Sequence, residues 1–132
     1  MSGAGGREAA LAEIARLEAE EPEADEILRG ALAALVRDAG FRGAAIWFVE
    51  GDELQLGPAA GAPVDLADPA PPAAAGDGLA VEVPFDGRRV AVLAVAPAGE
   101  EDASYLGRVA GLVAGACLVG WDTGGVAWDD LA

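Results

Sequence analysis

Apolar residues recur with helical spacing over the first third of the chain. Between residues 7 and 20 they occupy every third position among Glu and Arg, which predicts an amphipathic helix with a narrow apolar stripe. A broader stripe runs from Pro22, a residue typical of a first helical turn, to Gly40, which is placed to end a helix. A second helix is therefore predicted over residues 22–40. Its stripe consists of Ile27, Leu28, Ala31, Leu32, Leu35 and Val36.

Two pairs of β-strands are predicted in the rest of the chain. Residues 43–49 are apolar throughout, whereas residues 53–56, after the turn Gly51-Asp52, alternate. In the same way residues 90–95 are apolar, while the alternating run 79–85 reaches them through the turn Asp86-Gly87. Strands that are apolar on both faces belong in the centre of a sheet. The predicted strand order is flank, centre, centre, flank.

A third helix is predicted over residues 100–120, where acidic residues precede a long apolar run. The fold class is therefore α+β: a central antiparallel β-sheet with N- and C-terminal helices on one face. We expect an N-terminal helix extension at residues 1–21, one domain at 22–120, and an acidic tail with two tryptophans at 121–132.

Composition restricts the partners. The chain has 132 residues, about the length of one domain, and a formal net charge of −15 with no Lys. Nucleic acids and anionic membranes require a positive face, so we expect neither. No apolar run reaches the ~20 residues of a membrane-spanning helix and no secretory leader is evident, so the predicted location is cytoplasmic.

The order of elements between Pro22 and Gly120 resembles a GAF domain. The resemblance is carried by GFRGAAIWFVEGDELQLGPAAG, a strand pair with a tight turn and a following glycine, and by the hairpin VEVPFDGRRVAVLAV before the closing helix. GAF domains carry terminal helices on one face of the sheet and a small-molecule pocket on the other, and many dimerise through those helices. The resemblance implies the same here.

The middle of the chain departs from that family. GAF domains use several dozen residues to roof the pocket, whereas this chain has only the Pro-rich residues 62–78, which predict an extended loop and a shallow or absent pocket. Domains of the roadblock or PAS type, with helices on one face of a sheet in a profilin-like arrangement, share part of this order of helices and strands. They are alternatives to the GAF fold.

Few catalytic residue types are present. The absence of His excludes Ser-His-Asp and Cys-His centres and His-bearing metal sites. The single cysteine, Cys117, lies on an apolar stripe and is expected to be a buried, inert thiol. Some small GAF proteins reduce free methionine sulfoxide with several cysteines, and LQLGPAAGAP is similar to their sequence, but one cysteine argues against that activity. We predict no enzyme activity, catalytic residue, metal or cofactor.

Two surfaces are candidate interfaces. Three glycines spaced by four residues in the last helix allow a close approach, either by the chain's own sheet or by a second subunit. The first helix would be marginal without a surface to pack on. The predicted residues of a homodimer interface are Leu11, Ile14, Leu17, Gly107, Gly111 and Gly115. The tryptophans of the tail either anchor a protein partner or fold back on the domain.

A small-molecule ligand would use the sheet face away from the helices. Leu54, Leu56, Val81 and Val83 are predicted to face the helices, which leaves the residues between them on the free face. The candidate ligand-binding residues are Trp47, Gln55, Glu82 and Arg89. We expect a non-catalytic GAF-like regulatory or signalling module that acts through protein interaction or dimerisation, with a small-molecule sensor as the alternative.

Overall fold

The computed structural model describes residues 2–20, 23–50, 53–69, 72–74 and 77–119. The predicted Gly51-Asp52 turn and the predicted tail at 121–132 lie outside this part. The elements are α1 Ser2–Glu20, α2 Ala24–Arg37, β1 Gly43–Glu50, β2 Glu53–Gly61, β3 Leu66–Pro69, β4 Pro72–Ala74, β5 Leu79–Phe85, β6 Arg88–Ala96 and α3 Ala103–Val119. Within the described ranges, the helices are too short or too polar to cross a membrane.

The main sheet has the order β2-β1-β6-β5 with antiparallel neighbours, so the predicted strand order and the α+β class are confirmed. Both central strands are deeply buried, and every residue from Ala91 to Ala96 is inaccessible or nearly so. The turn between β5 and β6 has positive φ at Asp86 (55°) and Gly87 (79°), the conformation of a two-residue hairpin that follows the twist of its strands.

The helices α2 and α3 cover one face of this sheet. Ile46 and Phe48 of β1, with Leu93 and Val95 of β6, join the apolar side of the helices in one core. The predicted stripe of α2 faces this core, with Leu28 and Leu35 almost fully buried. α2 ends at Arg37, three residues before the predicted end.

The N-terminal helix α1 packs on α2 and α3. The Arg7 guanidinium lies 2.6 Å from Asp102 Oδ1, and its Cζ lies 5.4 Å from the Phe41 ring centroid and 5.1 Å from that of Tyr105. The Tyr105 hydroxyl donates to the Arg7 carbonyl at 3.0 Å. The backbone N–H of Gly99 and the Arg7 guanidinium both hold the pKa of Asp102 below its usual range. These contacts join the start of α1 to the start of α3.

The region predicted as an extended loop contains the antiparallel strand pair β3-β4, and its residues Val64 and Leu66 lie on the sheet face away from the helices. Val64 and Leu66 pack there on Ala80, Ala94 and Ala96, whose small side chains leave a flat surface to cover. β4 contacts β5 and β6. This second, smaller cluster covers part of that sheet face, although the segment between β2 and β5 is short.

Both ends of that region are attached to Arg42. The Ala62 N–H donates to the Arg42 carbonyl at 3.0 Å, and the Arg42 guanidinium donates to the Asp77 carboxylate at 3.0 and 3.3 Å. The Arg42 N–H donates to the Ala96 carbonyl at 2.7 Å. Arg42 therefore links both ends of this region to β6.

Candidate functional site

The candidate site is a row of side chains across the sheet face opposite the helices. Trp47 stands between Ile46 and Phe48, which point into the helix-side core, so its own side chain points to the opposite face. Trp47 is directly opposite Leu56 on one side and Val92 on the other, and Val92 is opposite Glu82. Paired residues of antiparallel strands share a face. The row therefore runs Leu56, Trp47, Val92, Glu82.

Trp47 carries a buried hydrogen-bond donor in this row. Its indole Nε1 is buried and has no hydrogen-bond partner among the described residues, although the residue as a whole is partly exposed. A buried donor without an acceptor costs ~1–3 kcal/mol. An acceptor atom placed beside the indole would recover that free energy.

A charged pair lies at the far end of the row. Arg89 Nη1 is 3.8 Å from Glu82 Oε2, with side-chain exposures of 29% and 57%. Such a loose and exposed ion pair contributes little to stability. It places a cation and an anion side by side on the sheet face opposite the helices.

A β-bulge turns Arg89 onto this face. Ala91 is paired with Val83, but Arg89 is paired with the next residue, Pro84, so Val90 is an extra residue in β6. Val90 packs against the helix-side core, next to Ala91. The extra residue shifts the alternation and directs Arg89 to the free face beside Glu82.

Of the four candidate ligand-binding residues, Trp47, Glu82 and Arg89 share this face, and Gln55 does not. Gln55 is paired with Phe48, whose ring belongs to the core. The prediction that Leu54 and Leu56 face the helices was wrong, because register with β1 places them on the free face, where Leu56 is 58% exposed. The matching prediction for Val81 and Val83 is confirmed by their pairing with Leu93 and Ala91.

Gly57 is the sequence feature that indicates which side of β2 faces the core. A Cβ on Gly57 would collide with the Phe48 ring, so position 57 points into the core and needs glycine. Position 55 shares the side of position 57 because side chains alternate along a strand. The glycine in LQLG thus assigns Leu56 to the free face.

The predicted interface residues separate into two groups. Ile14 and Leu11 are buried in the chain's own core, so an interface role does not fit them. Leu17 and Gly115 also have contacts within the chain: Leu17 fills the space above Gly30, and a Cβ on Gly115 would lie 3.8 Å from the Phe85 ring. Gly107 and Gly111 have open space where a Cβ would be.

Cys117 is buried on the other side of the sheet from Trp47. It belongs to the helix-side core, and burial raises the pKa of its thiol to about 12. The predicted burial of this residue is confirmed. The thiol is therefore protonated at neutral pH and is remote from the row on the free face.

No family model and no curated protein matches the chain. Solved structures match it in fold. The GAF domain of a phosphoenolpyruvate-protein phosphotransferase from Coxiella burnetii superposes with a TM-score of 0.69 at 12% identity, over 94% of this chain and 99% of that one. A free methionine-R-sulfoxide reductase from Neisseria meningitidis, in complex with its substrate, gives 0.66 at 22% identity, over 85% and 88%. The fold is GAF-like.

The prediction that the chain is not an enzyme is wrong in the light of these structures. Besides the Neisseria protein, a reductase of the same kind from Staphylococcus aureus shares the fold, with a TM-score of 0.63 at 14% identity. The same architecture carries both GAF domains and reductases, because activity depends on the groups placed on a fold and not on the fold itself. Missing residue types were too weak a basis for excluding catalysis.

Proposed function

We propose that this GAF-like chain is a small-molecule-binding module whose site is on the sheet face opposite the helices, around Trp47. The observation that carries the proposal is the buried indole N–H that lacks an acceptor among the described residues. A ligand oxygen at that point would turn an unfavourable buried donor into a hydrogen bond. The regulatory role predicted from the sequence would then depend on ligand occupancy.

The neighbouring charges favour a zwitterionic amino acid as the ligand. Arg89 offers a planar donor for a carboxylate, and Glu82, at 3.8 Å from it, offers an acceptor for an ammonium group. Free methionine-R-sulfoxide, the substrate named for the similar reductases, has a carboxylate, an ammonium group and a sulfoxide oxygen. These three groups match Arg89, Glu82 and the Trp47 N–H.

Titration calorimetry with L-methionine-R-sulfoxide tests the proposal. Trp47→Phe keeps an aromatic ring but removes the N–H, so we expect binding about tenfold weaker, the equivalent of one hydrogen bond. Wild type should bind methionine, which lacks the oxygen, about as weakly as Trp47→Phe binds the sulfoxide.

Arg89→Gln should also weaken binding, while Arg88→Gln, an exposed neighbour at the hairpin end, serves as the matched control. Absence of binding by folded wild type, or equal losses in Arg88→Gln and Arg89→Gln, would overturn the assignment of the ligand and its site.

Reduction of free methionine-R-sulfoxide is a second candidate, favoured by the similarity to the two reductases. In a thiol mechanism the sulfoxide oxygen passes to a cysteine as a sulfenic acid, and a dithiol reductant returns the thiol with release of water. Cys117 is the single cysteine of the sequence, and its burial requires a rearrangement before it can react.

Methionine formation in the presence of dithiothreitol measures this activity. Turnover that disappears in Cys117→Ala would support the reductase, and turnover that persists would place the chemistry elsewhere. Wild type without turnover that still binds the sulfoxide would leave binding as the function.

A further inference from the structure

We infer that the segment of this chain after α3, residues 120–132, docks as an additional strand on the outer edge of β2. This segment lies outside the described residues. The occupant is identified by the chemistry of the edge, by the sequence of the segment and by its reach. The inference does not depend on a ligand at Trp47.

The outer edge of β2 has no partner strand among the described residues. β2 stands at the end of the order β2-β1-β6-β5 and pairs there with β1 alone. Such an edge presents backbone N–H and C=O groups that another extended segment can bind. The register with β1 leaves one extra residue in β2 between Leu56 and Ala59, and Pro58 in that interval lacks an N–H. The part of the edge that can accept a strand is therefore residues 53–57.

An apolar and a cationic side chain border this part of the edge. A cleft of about 270 Å³ is lined by Arg29 of α2 and by Leu56, Gly57 and Pro58 of β2. Leu56 is strongly exposed on the sheet face opposite the helices, whereas Arg29 belongs to the helix side. Arg29 is exposed and forms no ion pair with the described residues. An added strand would meet an apolar group on one face and a cation on the other.

The segment after α3 contains side chains of both kinds in the required order. Trp128 and Asp129 are consecutive, and consecutive side chains of a strand point to opposite faces. With Trp128 beside Leu56, Asp129 points to the side of Arg29, where the opposite charges attract. Because the chain carries a net charge of −15, an acidic segment needs a local cation to dock, and the cleft supplies one.

The segment is long enough to reach this edge from the end of α3. One turn before α3 ends, a Cβ on Gly115 would lie 3.8 Å from the ring of Phe85, the last residue of β5. Pairing across the sheet places Gln55 of β2 level with Val83 of β5, three strand spacings or about 14 Å away. Residues 120–127, when extended, span up to about 26 Å. The same chain can therefore bring Trp128 to β2.

Hydrogen exchange of the full chain, measured by mass spectrometry on peptides from β2, tests the inference. Amides of residues 53–57 should be protected in wild type, because the added strand would bind their edge. Trp128→Ser removes the aromatic anchor and should raise their exchange rate about tenfold. Trp121→Ser removes the other tryptophan of the segment and is the matched control, with no change expected in β2.

Charge reversal tests the pairing of Arg29 with Asp129. Arg29→Glu and Asp129→Arg should each raise the exchange rate of residues 53–57 about fivefold, since each places like charges together. The double variant exchanges the two charges and should restore the protection. Asp122→Arg, in the same segment, should leave β2 unchanged.

Amides of the buried residues 91–96 in β6 show in every variant whether the domain stays folded. Rapid exchange of residues 53–57 in folded wild type would overturn the inference. Equal effects of the two tryptophan variants, or a double charge variant without restored protection, would also overturn it. Protection that increases with protein concentration would assign the docked segment to a second copy and would contradict docking within one chain.

Discussion

At the scale of single residues, burial decides what Cys117 can do. The thiol is surrounded by the apolar side chains of the helix-side core, which stabilise a thiolate poorly. Desolvation raises its pKa from the ordinary 9.0 to about 12, so it behaves as a small apolar side chain at neutral pH. Only a rearrangement of α3 would make it a nucleophile.

We expect the free energy of unfolding to fall as the pH rises above about 9. The unfolded chain loses the Cys117 proton near 9.0, whereas the folded chain keeps it until about 12, so rising pH favours unfolding by up to ~1.4 kcal/mol per pH unit in this window. Tyr105, whose pKa is raised from 10.0 to about 12, adds to this only above pH 10.

Urea unfolding at about pH 8 to about pH 10 measures this dependence. The decline should be steeper for wild type than for Cys117→Ala. Equal slopes for the two proteins would contradict a protonated, buried thiol.

At the scale of elements, glycines have opposite roles in the β5-β6 hairpin and in α3. Gly87 adopts φ +79° in the hairpin turn, a conformation that other residues reach only at a cost. Gly107 lies inside α3 with ordinary helical geometry and open space above it. The same substitution should therefore change stability in opposite directions at the two positions.

Gly87→Ala should destabilise the protein by ~1 kcal/mol, and Gly107→Ala should stabilise it by a similar amount. At both positions the added methyl group has no neighbouring atom within 4 Å. The difference in stability between the two variants therefore reports backbone conformation and not side-chain packing. Chemical unfolding of both variants beside wild type gives the two changes. Changes of the same sign would show that the turn or the helix differs from the structure described.

At the scale of the whole molecule, an excess of acidic residues is spread over a small GAF-like fold. The chain has 23 acidic and 8 basic residues. Of the ion pairs among the described residues, Arg7–Asp102 links two helices with an almost buried carboxylate, whereas pairs such as Arg37–Asp38 join neighbours on the surface. Surface pairs contribute little, so unpaired negative charge dominates the electrostatic free energy.

We expect the melting temperature to rise by a few degrees when NaCl is increased from about 20 mM to about 300 mM. Salt shortens the range of repulsion between exposed carboxylates to a few ångströms, while partly buried pairs are screened less. Differential scanning calorimetry measures the shift, and a matched series with uncharged sucrose controls for exclusion of solute. A melting temperature that falls with salt would show that paired charges outweigh the repulsion.

The sequence by itself determined the order and type of the main elements. Helical and strand periods, the Asp86-Gly87 turn and the fully apolar runs of β1 and β6 are local properties, and they identified the central and flanking strands. The GAF-like arrangement follows from that order. Charge and residue types excluded His-dependent centres, but they did not justify excluding catalysis.

The tertiary structure decided which faces those residues use. Register with β1 moved Gln55 to the core side and Leu56 to the free face, and the extra residue Val90 brought Arg89 beside Glu82. Docking of α1 on its own chain buried Leu11 and Ile14, which had been predicted at an interface. The hydrophobic period predicts that a residue is buried against other apolar residues. Only the tertiary packing determines which segment of the chain provides those residues.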